Sequence, residues 1–169
     1  MLSRGESQPK VTQLAMTKGR RRLRFATLRD VPPDVDRLVA QGHRTVGRWT
    51  LAQICNHLSS NIVHTIDGFP GPVAPWIVRQ TLGRAVRGLM LTPGRIMEGA
   101  PIPKNYRPAP TLDATAEVTA LRAAIERFCS SQIECKPHPF LGWMSYKEWE
   151  RFHCIHCGHH LSFVLAGNL

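Results

Sequence analysis

The sequence predicts an all-α fold, a four-helix bundle. Three observations carry this. Four segments place apolar residues at helical spacing, two of them open on a capping box, and no segment shows the apolar–polar alternation that a half-buried strand requires. Four amphipathic helices with little else bury their apolar stripes by packing on one another.

The first helix is expected over 32–41. Leu28, Val31, Val35, Leu38 and Val39 follow helical spacing, Pro32 and Pro33 suit a first turn, and Gly42 ends it. The second, over 51–67, is the clearest. Thr50 and Gln53 form a T-x-x-Q capping box, Ile54, His57, Leu58, Asn61, Ile62 and Thr65 share one stripe, and Gly68 and Pro70 stop it. Residues 68–111 are rich in Gly and Pro and make a long crossover between the second and third helices. One short helix, APWIVRQTLGRAVRGLML, lies inside it and breaks at Pro93-Gly94, and GAPIPKNYRPAP reads as an extended connection. The third helix follows Asp113 as its cap, with Val118, Leu121, Ile125 and Phe128 on one face. After the loop ECKPHPFLGWM, Ser145 and Glu148 form a second capping box, and the fourth helix is expected from 146 to 165.

The chain holds 169 residues with 22 Lys and Arg against 12 Asp and Glu, a formal charge of +10. Residues 1–25 carry Arg4, Lys10, Lys18, Arg20, Arg21, Arg22 and Arg24 against Glu6, or 7 − 1 = +6, which leaves 15 − 11 = +4 for the remainder. Residues 1–24 are therefore read as a basic, flexible leader and 25–169 as the helical domain. A phosphate-binding arm is the alternative, and it lacks any zinc-finger, RRM or KH signature downstream, so nucleic acid is not favoured as a partner. No apolar run reaches the length of a membrane span and no secretory h-region opens the chain, so no membrane partner is expected. Five cysteines, an odd number without a dense pattern, argue against a disulfide scaffold and for the cytoplasm.

The chemistry concentrates in the fourth helix, YKEWERFHCIHCGHHLSFVL. At about 100° per residue, Trp149, His153, His156, His160 and Phe163 fall within roughly an 80° arc, the arc that faces the core. A buried imidazole needs a partner for each nitrogen, so three on one apolar stripe call for more than packing. His156 and His160, at i and i+4, can point side by side at one ion. The third ligand must come from elsewhere, and His57 is preferred to His64 because it sits between Ile54 and Leu58 while His64 lies near the helix end. His153 is left as a neighbour that orients a ligand, a proton shuttle or a fourth ligand. His64 and His138 are read as satisfied core residues, and His159, about 100° from His160, as a surface residue. The rival is a zinc knuckle at Cys154-x-x-Cys157, which lacks a second pair at short spacing and falls inside a continuous helix, where the plainer reading is small packing residues.

The stretches RFATLRDV…LVAQGHRTVGRWTLAQICNHLSSNIVHTIDGFP and HPFLGWMSYKEWERFHCIHCGHHLSF resemble the DinB/YfiT-like superfamily, and within it a bacterial subgroup of unknown function. The likeness runs over roughly residues 24–165 and rests on W-[ST]-L-x-Q-I-x-x-H-L, H-P-x-x-G and W-x-x-x-H-x-x-H-x-x-x-H-L-S-F. It implies an up-down-down-up bundle, often a homodimer, with a divalent ion, commonly zinc or nickel, held at positions matching His57, His156 and His160. His153 matches a further histidine of the subgroup, whereas His159, Cys154 and Cys157 depart from the pattern. Relatives elsewhere in the superfamily are transferases or isomerases that use bacillithiol, mycothiol or glutathione. The expected function is accordingly that of a metal-dependent transferase or hydrolase acting on a small molecule, with a low-molecular-weight thiol as one substrate and Arg84, Arg87 and Arg95 of the crossover available to an acidic group. A metal- or ligand-binding module of stress response without turnover is the alternative.

Overall fold

The structure is a computed structural model that describes residues 14–17, 19–94, 96, 102, 106–130 and 134–167. In chain order it runs β1 (Leu14–Thr17), β2 (Arg20–Arg22), a 3-10 turn (Leu28–Asp30), α1 (Val31–Ala40), β3 (His43–Thr45) and α2 (Leu51–Asp67). The crossover holds α3 (Trp76–Val78), a π-helical turn (Arg79–Gly83) and α4 (Arg84–Met90), and is followed by α5 (Ala114–Ser130), α6 (Tyr146–Leu161) and β4 (Val164–Ala166). The chain is mostly helical, as its periodicity predicts, with two small antiparallel sheets added, β1–β2 and β3–β4.

Both predicted capping boxes form. Thr50 Oγ1 accepts from Gln53 N at 3.2 Å while Gln53 Oε1 accepts from Thr50 N at 3.0 Å, and Ser145 and Glu148 repeat the exchange at the start of α6. α2 packs chiefly on α5 and also on α6, around fully buried Leu58, Ile62, Phe128, Trp149 and Leu161. The long helices thus bring their apolar stripes together, and the histidine stripe of α6 faces α2.

Two expectations change. The fourth helix ends at Leu161, not 165, because Val164–Ala166 leave it to pair with His43–Thr45, in the register His43↔Ala166 and Thr45↔Val164. Arg20–Arg22, counted with the basic leader, are laid on the body: Arg21 N donates to Ser162 O at 2.9 Å, and Leu23 and Phe25 are buried. The leader runs so close to α6 that a Cβ at Gly158 would stand 3.0 Å from the Leu23 carbonyl oxygen. Residues 1–13 and Lys18 of the leader lie outside the described residues.

The crossover helix is seated as tightly. Gly83 is buried, and a Cβ there would run into the Phe140 carbonyl oxygen, a backbone atom that cannot rotate away. Gly83→Ala is expected to destabilise the fold by about 1–3 kcal/mol through forced separation of the crossover from the 138–142 turn, read as a lower urea midpoint at unchanged slope. Gly88→Ala, with nothing near its Cβ, is the matched control and gains helix propensity instead.

Candidate metal centre

Two helices supply the three imidazoles that the sequence singles out. α2 presents His57 one turn after the Thr50 cap region, and α6 presents His156 and His160 on successive turns. His57 Nε2 lies 3.2 Å from His156 Nε2, and His160 Nε2 lies 3.0 Å from the same atom. All three ligand atoms fall within 4.8 Å of one another, the one such cluster of three among the described residues.

The remaining contacts say which nitrogen is which. His57 Nδ1 is 3.1 Å from the carbonyl oxygen of Tyr106, which can only accept, so Nδ1 carries the hydrogen and Nε2 turns a lone pair toward the other two rings. Trp49 stacks on His160, with centroids 5.4 Å apart and planes 14° apart, and tilts over His57 at 5.0 Å. Burial pushes all three imidazoles below their ordinary 6.5, His160 to about 2, and the neighbouring histidines add to the push on His156. At neutral pH the site is therefore three uncharged rings with lone pairs to offer.

The donor set fits a transition ion. Nitrogens bound at about 2.0–2.1 Å stand roughly 3.3 Å apart around a tetrahedral ion and roughly 3.0 Å apart around an octahedral one; the two short separations here fall in that interval, and the third pair lies within 4.8 Å. Lone pairs facing each other at such distances repel unless a proton or cation lies among them. His156 departs from a complete site in one respect: its Nδ1 is buried without a hydrogen-bond partner among the described residues, so nothing there orients the ring from behind.

His153 is placed differently. Its Nε2 lies 3.1 Å from Thr65 Oγ1, whose own hydrogen goes to Asn61 O, so the imidazole donates to the hydroxyl. The ring stacks on Trp149 at 5.5 Å and meets Phe128 edge-on. It ties α6 to α2 beside the cluster and does not share in it. His64 rests against Phe69 and Tyr106. His138 Nδ1 accepts from Phe140 N and Leu141 N, both at 3.1 Å, and so holds a turn together. His159 is half-buried, edge-on to His160 and Phe163. Cys154 and Cys157 are buried thiols within α6, the first pushed up to about 12 by burial, and they make no knuckle. Of the crossover cations, Arg87 lies 3.8 Å from Glu148 and donates to the Trp143 carbonyl, while Arg95 is outside the described residues.

Tyr106 and Trp49 complete the site. Trp49 carries a signal, the tryptophan that opens W-T-L-A-Q-I. Tyr106 carries none, because it acts through its backbone: its carbonyl takes the His57 proton while its hydroxyl donates to Pro70 O at 2.9 Å. One turn before His57, Gln53 Nε2 holds the next stretch of the same strap through Ala109 O at 3.1 Å.

A family profile described as a protein of unknown function, DUF1569, matches residues 17–166. The chain belongs to the DUF1569 family. No curated protein and no solved structure matches it. The DUF1569 span takes in β2, both capping boxes and all three converging histidines.

Two histidines of this DUF1569 chain that lie outside the cluster add to the acid sensitivity that the buried cluster histidines confer. Burial lowers His138 to about 4 and His153 to about 3 from an ordinary 6.5. The unfolded chain takes up protons as pH falls through 6.5 and the folded chain resists until pH 4 or 3, so this stability is complete above about pH 6.5 and is lost on acidification. The two together give a slope of up to about 3 kcal/mol per pH unit between roughly pH 6 and 4. Urea unfolding across that range measures the total, to which the buried cluster histidines also contribute, and His138→Asn should remove up to about 1.4 kcal/mol per pH unit from it.

Proposed function

We propose that this DUF1569 protein is a metal-dependent enzyme acting on a small molecule, a transferase with a low-molecular-weight thiol as one substrate or a hydrolase. We propose with it the DinB/YfiT-like four-helix bundle. His57, His156 and His160 would hold a divalent ion, zinc or nickel. The observation that carries the reading is the convergence of three neutral Nε2 atoms at 3.0 and 3.2 Å spacings. When bound by three uncharged imidazoles, such an ion keeps its full charge and lowers the pKa of a thiol or water offered to it.

The chain's own part is to hold and dry the site. The Tyr106 carbonyl fixes the His57 tautomer, so that Nε2 stays unprotonated and aimed inward. The two α6 rings are fixed by one rigid helix, and Trp49 covers His57 and His160 with an apolar face. Elemental analysis of purified protein tests the metal, with about one zinc or nickel per chain expected. Conjugation of bacillithiol, mycothiol or glutathione to a generic electrophile, and ester hydrolysis, then test turnover before and after chelation. A chain without stoichiometric metal sinks the site. The burial of His57 and His156, 5% and 8% exposed, favours a second reading, a binding module without turnover, and full metal with no chelator-sensitive activity would select it.

A further inference from the structure

Large apolar side chains stand exposed along the crossover among the described residues. Val73, Trp76, Ile77, Leu82 and Leu89 of the crossover stand open, joined by Trp143, with Trp76 66% and Trp143 60% exposed. Trp143 is brought beside the crossover helix because that helix lies across the 138–143 loop. Gly83 presses on the Phe140 carbonyl, Ala74 N donates to Pro139 O at 2.9 Å, and Arg87 donates to the Trp143 carbonyl. The inner side of this helix, Val78, Gly83, Val86 and Met90, is half-buried or buried, so the face is held rigidly by the fold. Two exposed tryptophans on one rigid patch exceed what an ordinary soluble surface scatters singly.

Charge tells which occupant fits. Residues 76–90 contain Arg79, Arg84 and Arg87 and no Asp or Glu, with Arg84 exposed and the other two half-buried. The acid that meets this rim is Glu148 of α6, which lies 3.8 Å from Arg87 and is held down by Arg84 as well, and Lys147 stands exposed next to it. A second copy docked face to face would lay this arginine rim on itself. An anionic, partly apolar surface meets both features at once, with tryptophan rings at the polar–apolar boundary and guanidinium groups among headgroups.

We propose that the crossover helix, residues 76–90, together with Trp143 is a docking face for the surface of an anionic membrane. The expectation of no membrane partner rests on the lack of a span, and no helix of the described residues is long and apolar enough to be one. Surface contact is a different demand, one that needs a rigid outward face and not a continuous apolar run.

Sedimentation of the full chain with phosphatidylcholine vesicles, and with vesicles that also contain phosphatidylserine, tests it. The chain should pellet with the anionic vesicles, the bound fraction should fall steeply with salt, and tryptophan emission should shift to the blue and be quenched by brominated lipid. Trp76→Glu and Trp143→Glu lie on the surface and should leave the thermal unfolding temperature in place, and each should weaken binding by roughly tenfold or more. Arg84→Glu should weaken binding to anionic vesicles alone. Chain that stays in the supernatant with anionic vesicles at low salt overturns the proposal, as does equal binding by Trp76→Glu. A concentration-dependent dimer in light scattering that Trp76→Glu dissolves would assign the face to a second copy and overturn it too.

Discussion

His156→Ala is expected to lower the affinity for zinc or nickel by more than about 100-fold, beyond the 10–100-fold that loss of a residue behind a ligand typically costs. His156 is the central ring of the three, its Nε2 within 3.2 Å of His57 Nε2 and 3.0 Å of His160 Nε2. Without it the remaining two ligands sit on different helices, joined by the packing of Trp49 against both rings in place of a third nitrogen. Competition titration against a chromophoric chelator measures the change. A second readout separates metal loss from misfolding. Wild-type chain with metal at 100 times its dissociation constant should gain about 2.7 kcal/mol of stability, and the variant should gain almost none while still unfolding cooperatively. The metal-free variant should not be greatly weakened, because the cavity left by the ring is offset in part by removal of the buried Nδ1 that lacks a partner. His64→Ala, on the same helix as His57 and outside the cluster, should keep the affinity within a few-fold. Retention of wild-type affinity by His156→Ala would end the assignment of the site.

What could be read from the sequence was what is local along the chain. The boxes Thr50–Gln53 and Ser145–Glu148 are four-residue patterns, and each starts its helix as expected. The i, i+4 pair His156 and His160 follows from helix pitch, and His57 was chosen over His64 by its neighbours on the apolar stripe. What escaped was set by partners far away. Strands β3 and β4 are three residues each, too short for alternation to register, and they exist because His43–Thr45 and Val164–Ala166 meet across the fold. The same meeting cut the fourth helix short at Leu161. Tyr106 was invisible because a backbone carbonyl has no residue type to recognise. Helix pitch leaves His153 open as an orienting neighbour, a proton shuttle or a fourth ligand because it gives direction without reach, and Thr65 on α2 meets its Nε2. Arg21 was read as part of a solvated run because its partner is hidden until the chain folds.

That partner gives the largest expected effect on stability. Asp34→Ala should cost about 3–5 kcal/mol, the range for breaking one side of a buried ion pair, against a total stability of roughly 5–15 kcal/mol for a chain of this kind. The Asp34 side chain is fully buried and that of Arg21 is 3% exposed, with two parallel bonds of 2.8 and 2.7 Å between them, and Arg37 reaches the same carboxylate from one turn along α1. Loss of the carboxylate leaves a guanidinium in the interior with the Leu161 carbonyl, 3.1 Å away, as its acceptor among the described residues. Asp36→Ala is the contrast on the same helix. Its bond to Arg122 joins two half-exposed side chains and should be worth less than about 1 kcal/mol. The pair as a whole need not stabilise the chain, since apolar pairs of similar volume often do as well, so Arg21→Met with Asp34→Leu should recover most of what Asp34→Ala loses. The damage should also be local first. Arg21 N donates to Ser162 O, so amide exchange at Arg21 should accelerate in Asp34→Ala before the core amides of α2 and α5 do. If instead all amides accelerate together, the leader is an integral part of the cooperative unit and β2 cannot detach from α6 without unfolding the rest.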